Sequence, residues 1–95
     1  MSNIDFLSEL EGIIRERSEA SPDESYTALL KDKGIPFISQ KVGEEAVETI
    51  IEAMKGDKER LTSEAADLVY HLLVLLYNSN LSLGDIADKL KERHQ

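Results

Sequence analysis

Two residues, Gly56 and Asp57, separate two long stretches of helical periodicity. Before them Ile38, Val42, Ala46, Val47, Ile50, Ile51 and Met54 give a broad apolar face to a helix that Pro36 opens and that runs to about Lys55. After them Leu68, Val69, Leu72, Leu73, Val74, Leu75 and Leu76 cover most of the circumference of a helix from about Lys58 to Tyr77. Such a helix is expected to be the central, most buried one. Glycine suits the left-handed residue that ends a helix, and aspartate suits the cap that starts the next. A joint this short makes the two helices antiparallel neighbours, and that pairing constrains the rest of the chain.

The flanking segments read as helices too. Ser2 or Asn3 is the expected cap of a first helix, with Ile4, Leu7, Leu10 and Ile14 on one face. SPDE at 21–24 reads as a second start, with Ser21 as N-cap, Pro22 at the first helical position and Glu24 closing a capping box. That helix carries Tyr26, Leu29 and Leu30 and is expected to end at Gly34. NSN at 78–80 is a break, and Ser82 caps a last helix with Leu83, Ile86 and Leu90 on its inner face. Nothing alternates with a period of two. The expected fold is all-α: a bundle of five helices around the central antiparallel hairpin of about 36–55 and 58–77. With 95 residues this is one domain, 1–95, and a chain so short has reason to complete its core with a second copy.

Composition narrows the function. There is no cysteine, which excludes disulfides, zinc–thiolate sites and thiol nucleophiles and fits a reducing cytoplasm. The first residues have no basic segment and no long apolar run, so no secretory signal is expected. LLVLL at 72–76 is far too short to span a bilayer, so no membrane role is expected. A net charge of −8 argues against general nucleic-acid binding, which needs clustered Lys and Arg. It does not argue against a phosphorylated small molecule held through divalent cations.

The acidic residues are not spread evenly. Counted from Gly56, Glu48 lies eight residues before and Glu64 eight after; Glu45 lies eleven before and Asp67 eleven after. An antiparallel hairpin therefore sets Glu48 opposite Glu64 and Glu45 opposite Asp67. Each pair within a helix is spaced i,i+3, about 4.5 Å along the axis. With axes about 8–10 Å apart, the four carboxylates can point into one small volume, with Glu44 at its edge. Lys41, Glu45, Glu48 and Glu52 make one narrow polar stripe, and Arg60, Glu64, Asp67, His71 and Asn78 make the matching one. Four carboxylates so close repel one another, and without a counter-charge some protonate or the hairpin splays. Oxygen-only ligands suit a hard divalent cation, and magnesium commonly joins carboxylates to substrate phosphates.

Each motif alone is ambiguous, since EExxE and ExxD on helices are ordinary solvated faces. Lys41 can meet a phosphate or simply pair with Glu45 one turn away. His71 can touch substrate or metal, or be a buried histidine satisfied by Asp67. Asn78 can read a base or ribose edge, or cap its helix. Tyr26 can stack on a base or belong to the core. Arg15, Arg17, Lys31 and Lys33 can steer an anionic ligand or be plain surface.

Taken together the motifs become specific. Glu45-x-x-Glu48 and Glu64-x-x-Asp67 resemble the magnesium motif of the all-α, MazG-type nucleoside triphosphate pyrophosphohydrolases. SYTALL at 25–30, QKVGEEAVETIIEA at 40–53, GDKERL at 56–61, EAADLVYHLLVLL at 64–76 and LSLGDIADKLKERH at 81–94 resemble the phosphoribosyl-ATP pyrophosphatase family more narrowly. The resemblance covers about residues 4–94 and implies a dimerising helical bundle in the cytoplasm. It implies magnesium-dependent hydrolysis of 1-(5-phosphoribosyl)-ATP to 1-(5-phosphoribosyl)-AMP and pyrophosphate, the second step of histidine biosynthesis. On that basis Glu44, Glu45, Glu48, Glu64 and Asp67 are expected to hold Mg²⁺, with Glu45 or Glu48 as the catalytic base. Lys41, His71, Asn78, Ser25, Tyr26 and Thr27 are expected to contact substrate. Many relatives fuse this domain behind a zinc cyclohydrolase; the missing cysteines and the start at the first helix lead us to expect a stand-alone enzyme. The alternatives are a pyrophosphohydrolase acting on another nucleoside triphosphate, and a helical dimerisation module with no catalysis.

Overall fold

The computed structural model describes residues 3–95, which form five helices and, among the described residues, no strand. In chain order they are α1 (Phe6–Ser18), α2 (Tyr26–Lys33), α3 (Ile35–Lys55), α4 (Lys58–Asn78) and α5 (Leu83–Arg93). The all-α reading holds, and α3 packs on α4 as a hairpin.

The joint forms as its residue types demand. Gly56 takes the left-handed conformation at φ 76°. Its N–H and that of Asp57 both return to the carbonyl of Glu52, at 3.1 and 3.4 Å. These bonds satisfy the orphan carbonyl at the end of α3. The Asp57 carboxylate accepts the Arg60 N–H at 3.0 Å and caps α4. The helices thus reverse direction with no slack in register.

Two expected helix starts are corrected. Ser2 lies outside the described residues, and Asn3 does not cap by its side chain: α1 begins later, after a turn in which the Asn3 carbonyl accepts the Phe6 N–H. Ile4 consequently sits outside the helix and is exposed. SPDE at 21–24 is a turn, not a helix start: the Ser21 carbonyl accepts the N–H groups of Glu24 and Ser25. The cap is Ser25, whose extended backbone points its hydroxyl oxygen at the Ala28 N–H, 3.2 Å away. The same hydroxyl donates to the Arg17 carbonyl at 3.1 Å. Ser25 therefore wins because it closes α2 and ties α2 to α1 at once, which Ser21 cannot do.

The core draws on each of the first four helices: Ile14 of α1, Leu30 of α2, Ile38 of α3, and Leu73, Val74 and Leu76 of α4. As expected, α4 supplies the largest share. Leu83 packs against this core, and its N–H donates to the Glu11 carboxylate at 2.7 Å, which holds α5 to α1. The rest of the expected inner face of α5 is not buried: Ile86 and Leu90 remain exposed, Leu90 by 50%. The capping box of Ser82 and Asp85 forms, so α5 is well started yet carries an uncovered apolar side. On α3 Val47, Ile50, Ile51 and Met54, spaced along one face, are exposed as well, and so are Val69 and Leu72 of α4.

The correction at α2 has a measurable consequence. Ser25→Ala is expected to lower the unfolding free energy by about 1 kcal/mol, the usual cost of a lost N-cap. Ser21→Ala is expected to cost less than about 0.5 kcal/mol. Urea unfolding followed by circular dichroism separates the two; equal losses would return the cap to Ser21.

Candidate active site

The mirror count about Gly56 predicts opposed carboxylates, and three of them meet. One oxygen each from Glu45 and Glu48 of α3 and Glu64 of α4 lie within 4.8 Å of one another. Their electrostatics follow from that crowding. The Glu45 carboxyl is pushed above its ordinary pKa, first by burial and then by Glu48 and Asp67, with Lys41 opposing. Glu64 is also raised, chiefly because its carboxyl and that of Glu48 are close enough to share a proton. Glu45 Oε2 is buried and has no hydrogen-bond partner. A buried carboxylate oxygen without a donor is costly in isolation and becomes reasonable when a cation supplies the missing partner. The donor set is all oxygen, so it fits a hard divalent ion.

The other expected site residues fall in different places. Asp67 is exposed and its side chain is not one of the three that meet, although its charge reaches Glu45 and Glu64. Glu44 turns away: it accepts from the Gln40 amide at 3.1 Å and pairs with Lys41 at 3.4 Å. These contacts, Gln40 first, hold its pKa below the ordinary value. Lys41 thus pairs with Glu44 and lies over the Phe37 ring, 5.6 Å from its centroid. Asn78 donates to the Val74 carbonyl of its own helix at 2.8 Å. It lies eleven residues past Asp67, about 16 Å along the helix.

His71 is buried in a short chain of hydrogen bonds. Its Nδ1 is 2.8 Å from the Asp67 carbonyl, which can only accept, so Nδ1 carries the proton. Nε2 is then the acceptor, and the Tyr26 hydroxyl donates to it at 2.7 Å. The histidine is satisfied by the backbone of Asp67 rather than by its carboxylate. Tyr26 is 47% exposed at the residue level. Its phenol is nonetheless raised in pKa, by burial first, with Lys41 opposing and Glu45, Tyr70 and Asp67 reinforcing. Thr27 is buried and its hydroxyl bonds that of Tyr70. Tyr26 and Thr27 thereby dock the start of α2 on α4, while Ser25 ties it to α1.

Two features escape a reading of the carboxylate motifs alone. Glu52, only 6% exposed, receives Arg60 at 3.4 Å from Oε2 while Oε1 has no partner. The signal was present, since Glu52 and Arg60 lie four residues either side of Gly56. Tyr70, which is not among the residues of the polar stripe, joins the polar wall through Thr27.

The fold and cluster define an all-α domain with a group of carboxylates in a helical hairpin that could hold a hard cation. Comparison with known sequences places it further: the chain belongs to the phosphoribosyl-ATP pyrophosphohydrolase family, which it matches over residues 7–94. It is 52% identical over 94 residues to the histidine biosynthesis bifunctional protein HisIE of Vibrio parahaemolyticus, covering 99% of this chain and 44% of that protein. It is 56% identical over 89 residues to the protein of the same name from Pasteurella multocida, covering 94% and 44%. The Campylobacter jejuni protein of that name is 54% identical over 90 residues, covering 95% and 44%. The chain therefore spans less than half the length of these relatives. Among the described residues no helix is long and apolar enough to cross a membrane.

The raised carboxyls give a pH signature. A group whose pKa is higher folded than unfolded stabilises at low pH and loses that contribution as pH rises through the folded value. Protein freed of divalent ions is therefore expected to gain melting temperature as pH falls from neutrality toward the ordinary carboxylate range. Glu44 works in the opposite sense, but only further down, where its lowered pKa is reached. Scanning calorimetry in chelator across that range checks this; a melting temperature that falls steadily from neutrality would contradict the crowding of Glu45, Glu48 and Glu64.

Proposed function

We propose that this chain hydrolyses 1-(5-phosphoribosyl)-ATP to 1-(5-phosphoribosyl)-AMP and pyrophosphate in the cytoplasm, the second step of histidine biosynthesis. Family membership over residues 7–94 supports the substrate. The single observation that carries the chemistry is the meeting of Glu45, Glu48 and Glu64, with one buried oxygen left unpartnered. These three carboxylates would hold Mg²⁺, with Asp67 beside them and Glu44 at the margin. Bound there, the ion supplies charge neutralisation for the triphosphate and a lowered pKa for water.

The residues of the chain do the rest. A water oxygen bonds to phosphorus at the bridge between the α- and β-phosphates, the bridging P–O bond breaks, and pyrophosphate leaves. Glu45 or Glu48 takes the water's proton; the raised pKa of Glu45 makes it the better acceptor. Lys41, freed from Glu44, balances charge on the triphosphate. Tyr26 and His71 fix the wall against which the substrate lies, because their mutual hydrogen bond holds both rings in place.

Glu48→Gln and Glu64→Gln are expected to lower kcat/KM for phosphoribosyl-ATP by about a hundredfold or more while leaving the helical content unchanged. Pyrophosphate release with and without magnesium, beside a panel of ordinary nucleoside triphosphates, tests the assignment. Release from a different triphosphate would keep the metal chemistry and change the substrate. No release from any of them would leave a helical interaction module.

We also propose a homodimer. The uncovered stripe Val47, Ile50, Ile51 and Met54 on α3 supports it, with Met54 exposed by 84%. A stripe of that kind on a small domain is a contact surface more often than a solvated one. A second copy of the same chain is the occupant we infer, because 95 residues bury a limited core alone. Light scattering after size exclusion is expected to give twice the mass of one chain, and Ile50→Glu with Met54→Lys to halve it. A wild-type monomer at micromolar concentration would refute the homodimer.

A further inference from the structure

The proposed substrate is anionic at two ends, its triphosphate and the 5′-phosphate of its phosphoribosyl group. The carboxylate cluster repels a bare phosphate, so the second phosphate needs a cation elsewhere, within reach of the same bound molecule. A cavity of about 280 Å³ meets that need, lined by Arg17, Glu24, Ser25, Tyr26, Thr27 and Tyr70. Arg17, in the last turn of α1, enters no ion pair among the described residues. The cavity shares a wall with the acidic cluster. Tyr26 lines it, and the hydroxyl of Tyr26 bonds His71, which in turn bonds the backbone of Asp67. Tyr70 lines it too, three residues after Asp67 on α4.

We propose that this cavity is the phosphoribosyl subsite and that Arg17 binds the 5′-phosphate; the assignment rests on the function proposed above. The guanidinium offers a planar fork of donors suited to phosphate oxygens. Glu24, which would repel a phosphate, suits the ribose diol, whose hydroxyls donate to a carboxylate as they do in dinucleotide sites. The hydroxyl of Ser25 is committed to the backbone of Arg17 and fixes the end of α1 against the start of α2. The sugar phosphate thus lies at the junction of α1 and α2, and the triphosphate reaches past Tyr26 to the cluster between α3 and α4.

The test is steady-state kinetics of the full chain with phosphoribosyl-ATP. Arg17→Gln is expected to raise KM about tenfold to a hundredfold, the range lost with a charge-assisted hydrogen bond, with kcat within about threefold. Ribose 5-phosphate is expected to inhibit the wild type competitively and to lose that effect in Arg17→Gln. Inhibition by magnesium pyrophosphate is expected to be unchanged. Arg17→Lys keeps the charge at the end of α1 and is expected to fall between the two in KM. An arginine that merely suits the helix dipole would alter the melting temperature of Arg17→Gln and leave KM and ribose 5-phosphate inhibition untouched; that result overturns the proposal. Wild-type turnover of phosphoribosyl-ATP alongside an indifferent Arg17→Gln would sink this subsite alone. A wild type inactive on phosphoribosyl-ATP would remove the proposed function and this assignment with it.

Discussion

The register between α3 and α4 is the constraint on which the rest depends. It is set by two residues, one left-handed glycine and one capping aspartate, with no loop to absorb an error. A slip of one residue along a helix rotates a side chain by about 100°, and would turn Glu64 out of the cleft. Because the joint is so short, a residue's distance from Gly56 points to its neighbourhood on the other helix, although Asp67, matched to Glu45 by that count, is not among the carboxylates that meet. Glu48 meets Glu64 and Glu52 meets Arg60 by the same rule. One pair concentrates negative charge and the other neutralises it.

The cluster is unfavourable on its own terms. Like charges close together raise one another's pKa, and burial of Glu45 adds to the effect. The surrounding structure sustains that arrangement through packing. Ile38 and Val74 are fully buried within the shared core, and the Tyr26–His71–Asp67 chain braces α2 against α4. Strain of this kind is typical of sites that complete themselves by binding a ligand. Beside the cluster the fold also uses a neutral contact, Thr27 on Tyr70.

Much of this was legible in the sequence, for a definite reason. Helical periodicity, a glycine–aspartate joint and a mirror count are local or one-dimensional properties, and they carried the hairpin, its neighbours and the meeting of the glutamates. The misreadings came where two local signals competed. SPDE has the composition of a helix start, yet Ser25 caps α2 because it also reaches the carbonyl of Arg17, a contact that needs α1 already in place. The apolar side of α5 reads as an inner face, but one chain has nothing left to cover Ile86 and Leu90. Side-chain direction was the least legible. Helical spacing lets Lys41 reach either Glu44 or Glu45 and lets His71 reach either the carboxylate or the backbone of Asp67, but it does not choose between them.

The chain has no tryptophan and three tyrosines. Two of these, Tyr26 and Tyr70, stand in the wall between the acidic cluster and the neighbouring cavity, each set edge-on to the His71 ring. The third, Tyr77, borders a separate cavity near Ile14 and Leu81. Ultraviolet emission from this molecule is therefore weighted toward the very wall a ligand would touch. The native sequence carries its own optical probe, with no label to attach and no indole background to subtract.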